Sequence, residues 1–164
     1  MLFYRIPRTM ADGSLRLRPV RIFDASFITE GFLEEGISPY RNIRPLPLWL
    51  SLWWWTRKTF LPAYCIEYDT ERIGFMGLYN LRPGESAGLS LVIFVKEMRR
   101  HGYGRRAFHL LLQSLKRYSV VKRIYVEVRG DNTGALSFWR RMGFAEIRSQ
   151  GGIVTMSLKV DEKT

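Results

Sequence analysis

An apolar run at residues 89–95, a basic glycine-broken turn at 99–106 and an amphipathic run at 107–118 follow one another in order. The turn reads Arg99, Arg100, His101, Gly102, Tyr103, Gly104, Arg105 and Arg106. A strand that passes through such a turn into a helix commits the chain to a strand–helix–strand crossover. It also predicts an anion site. Glycines let a ligand approach the backbone closely, a helix start leaves N–H groups unpaired, and the flanking arginines add charge.

Twenty-six Lys and Arg against fifteen Asp and Glu give a net charge of +11, which favours an anionic partner without choosing among nucleotide, RNA and membrane surface. The single cysteine, Cys65, excludes an internal disulfide framework and sits in an alternating apolar run, as a buried structural cysteine does. The apolar start before Pro7 is too short for a secretory signal. The longest apolar stretch, 46–55, falls well short of the roughly 20 residues a membrane span needs. These features predict one cytoplasmic domain over residues 1–164, with no membrane partner, as a monomer or homodimer.

Along the chain, 14–20 alternates as a first strand, after an irregular lead-in with an edge strand at 2–6, and 21–35 carries helical spacing stopped by Gly36. Pro47 opens a helix over 47–58 whose apolar residues, Trp53, Trp54 and Trp55 among them, run all round it. Such a helix is buried on most sides, lines an acceptor pocket, or meets a membrane or a second copy of the chain. Strands follow at 63–68 and 73–79 around a polar hairpin, then at 87–95. Behind the glycine turn, Phe108, Leu111, Leu112 and Leu115 repeat at helical spacing. A strand at 122–128 and a helix capped by Asp131 or Asn132, with Gly143 past its end, lead to short strands at 144–148 and 152–160.

Two pieces in order, Arg99-x-x-Gly102-x-Gly104 and, about 25 residues on, the strand Tyr125-Val126-Glu127-Val128-Arg129-Gly130-Asp131-Asn132 with Ala135, Phe138 and Met142-Gly143-Phe144, resemble the GNAT family of acetyl-CoA-dependent N-acetyltransferases. The second piece looks most like the branch that acetylates ribosomal-protein N-termini. The resemblance implies an α+β fold: a mixed, mostly antiparallel sheet of about six or seven strands with a V-shaped splay, flanked by about four helices. It implies acetyl-CoA as the acyl donor. Val92 and Phe94 would present backbone groups to the pantetheine arm. The pyrophosphate would lie on the N–H groups of residues 100–105, with Arg99, Arg100 and Arg105 supplying charge and His101, Gly102, Tyr103 and Gly104 shaping the cradle. Asn132 matches an asparagine turned towards the cofactor, and also reads as a plain helix cap.

Acetyl transfer to an amine needs a base for the amine, donors for the oxyanion and a proton for the leaving thiolate. Glu127 occupies the position where related N-terminal acetyltransferases carry the base. It shares a strand face with Tyr125 and Arg129, opposite Val126 and Val128. Glu67 and Glu85 are weaker candidates. Many family members place a proton-donating tyrosine one residue past Phe138; this chain has Trp139, whose indole donates a hydrogen bond but does not titrate as an acid. Trp139 therefore either steadies the sulfur or packs in the core, and Tyr79, Tyr103 and Tyr125 stand as alternative donors. His101 and His109 have no third ligand in reach, so no metal is expected.

The leading expectation is an N-acetyltransferase acting on a primary amine, either a protein N-terminus or a small molecule. The alternative is a non-enzymatic basic module for RNA or a ribosomal surface with a vestigial coenzyme A site, although scattered arginines make a poor nucleic-acid platform. The acceptor pocket falls to residues 27–40, the tryptophan run and the hairpins, whose aromatic wealth suits a cationic acceptor.

Overall fold

The computed structural model describes residues 6–36 and 60–160, so the tryptophan run at 47–58 and the lead-in at 1–5 lie outside the described residues. Eight strands form one sheet in the order β1-β2-β3-β4-β5-β6-β8-β7. They are β1 (Met10–Asp12), β2 (Leu15–Pro19), β3 (Phe60–Tyr68), β4 (Glu71–Arg82), β5 (Ser86–Ile93), β6 (Arg123–Arg129), β7 (Ala145–Gln150) and β8 (Ile153–Lys159). Three α-helices are described: α1 (Ala25–Glu34), α2 (Tyr103–Arg117) and α3 (Thr133–Arg141). The additional strand is β1, a three-residue edge piece that turns back onto β2 with Met10 opposite Leu17.

Every pairing is antiparallel except β5 with β6. That exception is the crossover: β5 runs through the glycine turn into α2 and returns as a parallel β6. The β3–β4 hairpin turns on Asp69 and Thr70, both at positive φ (47° and 70°), the backbone that matches the right-handed twist of flanking strands.

Alternation sorts the side chains into two layers. On one face Tyr64, Ile66, Met76, Leu78, Leu89, Ile124 and Val126 pack with Phe108, Leu111 and Leu115 of α2 and Leu136 and Trp139 of α3. On the other, Cys65, Phe75 and Phe60 pack with Ile28 and Phe32 of α1, joined by Phe94. Phe94 is edge-on to Phe27 (5.5 Å) and Phe32 (5.3 Å), so an aromatic wall backs the α1 face of the sheet.

The sheet does not stay closed. Ser86, Ala87 and Gly88 pair with Arg123, Ile124 and Tyr125, and there the β5–β6 register stops. Beyond it β5 continues to Ile93 and β6 to Arg129, while β6 keeps its partner β8 along its whole length. Two strands that pair at one end and part at the other make a V, with its apex at Gly88 and Tyr125 and its mouth beside the glycine turn.

Candidate active site

Backbone direction decides what lines the V. The Arg123 N–H donates to Glu85 O (3.1 Å), and the Phe94 N–H donates to Ile73 O of β4 (2.8 Å). Along a strand the N–H and C=O groups point alternately to the two sides. Odd-numbered residues of β5 therefore face β6, and even-numbered residues face β4. Leu91 and Ile93 present their main chain to the open V.

This corrects the assignment carried by the resemblance to Val92 and Phe94. The Phe94 amide is taken by β4, its ring is buried against α1, and Val92, opposite Phe75, shares its backbone direction. Past the paired stretch Phe94 and Val95 both donate to Ile73 O, a bulge-like irregularity that ends the β4–β5 ladder.

At the mouth, Arg100 and Gly102 adopt left-handed backbone (φ 63° and 84°) and turn the chain into α2. Gly102 is the N-cap. The first intrahelical bond there runs from Arg106 N–H to Gly102 O (3.0 Å), so the N–H groups of Tyr103, Gly104 and Arg105 stand at the open start of the helix. A Cβ placed on Gly104 would meet only Ile93 and Phe138 atoms at 3.7 Å, ordinary contact. The protein itself does not require glycine there. A ligand lying against the turn would. Arg100, His101 and Arg105 are exposed around it. These features fit an anionic phosphate ester: a main-chain cradle, a helix start and free cationic side chains.

Two residues of the turn have other duties. Arg99 donates from Nε to Ile93 O (2.7 Å) and from Nη2 to Phe94 O (3.3 Å), and pairs with Glu35 at the end of α1. Its guanidinium braces β5 to α1, which departs from the phosphate role carried over to it. Tyr103 lies 4.5 Å from Tyr68 between ring centroids, with His101 stacked on its outer side and Arg106 over its ring. His101 Nδ1 is 2.7 Å from Arg99 O, a contact that holds the turn.

Asn132 accepts from the Ala135 N–H (3.1 Å) and so caps α3. Its amide nitrogen is not needed for that bond, and the residue is exposed. Trp139 lies at 6% exposure in the core between α2 and α3, edge-on to Phe108 (5.6 Å) and close to Phe144 (4.9 Å). That packing fits the second of its two readings, a core residue, better than a contact with the cofactor. The aromatic side chain that reaches the glycine turn is its neighbour Phe138, half-exposed and beside Gly104.

At the apex, Glu127 lies on the α1 face of β6, exposed, in the same alternation as Tyr125. Tyr79 of β4 pairs with Gly88 and is edge-on to Phe60 (5.9 Å). Burial, and then the charge of Glu127, push the Tyr79 phenol up to about 12. Glu67, the other carboxylate on this face, is bonded to Arg18. From sequence Tyr79 is one of three candidate hydroxyls; its place on the same sheet face as Glu127, across Gly88 and Tyr125, follows from strand order, which no local pattern encodes.

The Gly104 geometry yields a clean test. Gly104→Ala is expected to leave the melting temperature within a degree or two, because the added methyl meets ordinary contacts and glycine is a poor helix former. The coenzyme A dissociation constant, measured by calorimetry, is expected to rise at least about tenfold, since each tenfold is only about 1.4 kcal/mol of lost contact. An unchanged constant would remove the turn from coenzyme A binding.

Comparison with known proteins agrees with this geometry. A profile described as the acetyltransferase (GNAT) family matches residues 29–144. No protein of curated function matches the chain in sequence. Among solved structures, an acetyl transferase of Salmonella typhimurium, described as modifying the N-terminal serine of a 50S ribosomal subunit protein, is 13% identical with a TM-score of 0.71, covering 93% of this chain and 99% of its own. RimJ of Mycobacterium smegmatis, in complex with a coenzyme A disulfide, is 20% identical with a TM-score of 0.69, covering 88% and 81%. A spermidine N-acetyltransferase of Vibrio cholerae, with coenzyme A and spermine, is 19% identical with a TM-score of 0.71, covering 91% and 97%. These likenesses carry the fold, and the profile, matched over more than half of the residues, carries the family: this chain belongs to the GNAT acetyltransferases, enzymes whose acyl donor is acetyl-CoA.

Proposed function

We propose that this enzyme acetylates a primary amine that enters on the α1 face of the V, with Glu127 as the base. The observation that carries this reading is the split of charge across the sheet. α2 and α3 together hold Arg105, Arg106, Lys116, Arg117, Arg140 and Arg141 and contain no acidic residue. α1, on the opposite face, holds Glu30 and Glu34 and contains no Lys or Arg. A phosphate-bearing donor is drawn to the first side, and an ammonium to the second.

Acetyl-CoA supplies an activated acetyl group on a good leaving group. The residues of the chain do the rest. The turn at 100–105 and its helix start hold phosphate, and the main chain of Leu91 and Ile93 offers donors along the open edge of β5. Glu127 takes the proton that the amine must lose. Phe27, Phe94 and Tyr79 form an apolar wall behind it, suited to the stem of an amine whose charged end meets the carboxylates.

Proteins sharing this fold include one described as acting on a protein N-terminus and one described as a spermidine N-acetyltransferase, so the test must span both classes. Purified enzyme with acetyl-CoA is offered N-terminal peptides, amino acids and polyamines, and free thiol is followed. At least one primary amine is expected to release thiol well above the rate of hydrolysis. Release no faster than hydrolysis across the panel would overturn the reading.

A further inference from the structure

With Trp139 packed in the core and carrying no titratable hydroxyl, α3 offers the departing thiolate no acid. The structure supplies a hydroxyl from another element. Gly88 is the last residue of β5 paired with β6, and Tyr79 of β4 stands opposite it. A Cβ built on Gly88 would lie 2.4 Å from Cζ and 2.4 Å from Cε2 of Tyr79. The ring thus lies flat across β5 at the point where the V opens, which only a glycine beneath it allows. Cζ carries the hydroxyl, so the phenol oxygen projects beyond β5 to the β6 side. There Glu127 stands two residues past Tyr125 on the same face, near enough for its charge to be felt by the phenol.

The alternatives are less well placed. Tyr103 is held at the opposite end of the V, beside Tyr68 at the start of α2. Tyr125 sits on β6 itself, and the ring lying across the apex is that of Tyr79.

We propose that Tyr79 is the proton donor to the thiolate, and that Glu127 restores its proton. This rests on the reading of Glu127 as the base, and it closes the proton balance. The amine attacks in its neutral form, its ammonium proton having passed to solvent, and Glu127 takes a proton from nitrogen as the N–C bond forms. The C–S bond breaks, sulfur keeps the electron pair, and the Tyr79 hydroxyl gives sulfur a proton. The phenolate then takes the proton held by Glu127. One proton passes from nitrogen to sulfur, and both side chains return to their starting states. A phenol is protonated at neutral pH, the form the step requires, and burial and the neighbouring carboxylate shift it further that way.

Tyr79→Phe keeps the ring over Gly88 and removes only the oxygen. One readout needs no turnover: the thiolate absorbance of coenzyme A bound to the enzyme, followed as pH is raised. A donor hydroxyl favours the thiolate, so bound coenzyme A is expected to ionise about one pH unit or more lower on the wild type than on Tyr79→Phe. Affinity for desulfo-coenzyme A is expected to be the same for both. In turnover, kcat is expected to fall roughly 10–100-fold with the KM for acetyl-CoA unchanged. Gly88→Ala, which displaces the ring with the hydroxyl still present, is expected to lose kcat likewise.

Equal thiol ionisation on wild type and Tyr79→Phe would overturn the proposal, as would a loss confined to Tyr125→Phe. If Glu127→Gln left turnover intact while Tyr79→Phe still shifted the thiol, the base assignment would fall and the donor assignment would stand.

Discussion

Glu127→Gln is expected to lower kcat roughly 10²–10⁴-fold, the usual worth of a positioned general base. The dissociation constant for acetyl-CoA and the melting temperature should stay close to wild type. The reasoning is positional. Glu127 is exposed, so exchanging its carboxylate for an amide leaves no buried charge and opens no cavity. The phosphate cradle lies at the far end of the V, around Gly102 and Gly104, and shares no residue with it. The change therefore removes a proton acceptor and little else. A neutral acceptor amine supplied at high pH should recover part of the lost rate. A variant retaining more than about a third of wild-type kcat at neutral pH would take Glu127 out of the mechanism.

That carboxylate was legible in the sequence because it belongs to a local pattern. The alternation of residues 123–129 fixes which side chains share a face, and the following Gly-Asp-Asn and helix fix what comes next. The glycine turn was legible for the same reason, since Gly102 must adopt a backbone that other residues avoid. What failed to show was whatever depends on a second strand. The open edge of β5 is lined by the main chain of Leu91 and Ile93 rather than of Val92 and Phe94, because the direction of the β4 ladder decides it. Arg99 reads as a phosphate ligand until Glu35, 64 residues away, is seen to hold it. Trp139 leaves two readings open until Phe108 and Phe144 close around it. Tyr79 gains a role only because β4, β5 and β6 lie side by side with a glycine in the middle.

The buried ion cluster behind α1 is the other feature that no pattern announced, and breaking it is expected to cost the most stability. Arg18 of β2 donates from Nη1 and Nη2 to the two carboxylate oxygens of Asp24 (2.7 and 2.8 Å) and from Nε to Glu67 of β3. Asp24, 1% exposed, also accepts the Arg21 N–H (2.7 Å) at the turn that starts α1. The cluster thus ties the start of α1 to two strands, and α1 carries the aromatic wall of the acceptor side. Asp24→Ala leaves the Arg18 guanidinium buried with half its partners gone. A loss of about 3–5 kcal/mol is expected for a buried pair broken on one side. For a chain of this size that is a fall in melting temperature of roughly 6–20 °C.

Replacing all three charged members with neutral residues, as in Arg18→Met with Asp24→Leu and Glu67→Gln, should recover much of the loss, since no buried charge then remains unpaired. Acid titration gives the sign. Burial alone would raise the Asp24 carboxyl, but the Arg18 hydrogen bonds, the Arg21 amide and the Arg18 charge outweigh it and hold it below the usual value. The stability it contributes is therefore complete above the unfolded carboxylate range, near pH 4, and is lost as pH falls through the lower folded value. Wild type and Asp24→Ala should differ fully at pH 7 and draw together below about pH 4. A constant difference down to pH 2 would mean that the alanine costs packing rather than charge.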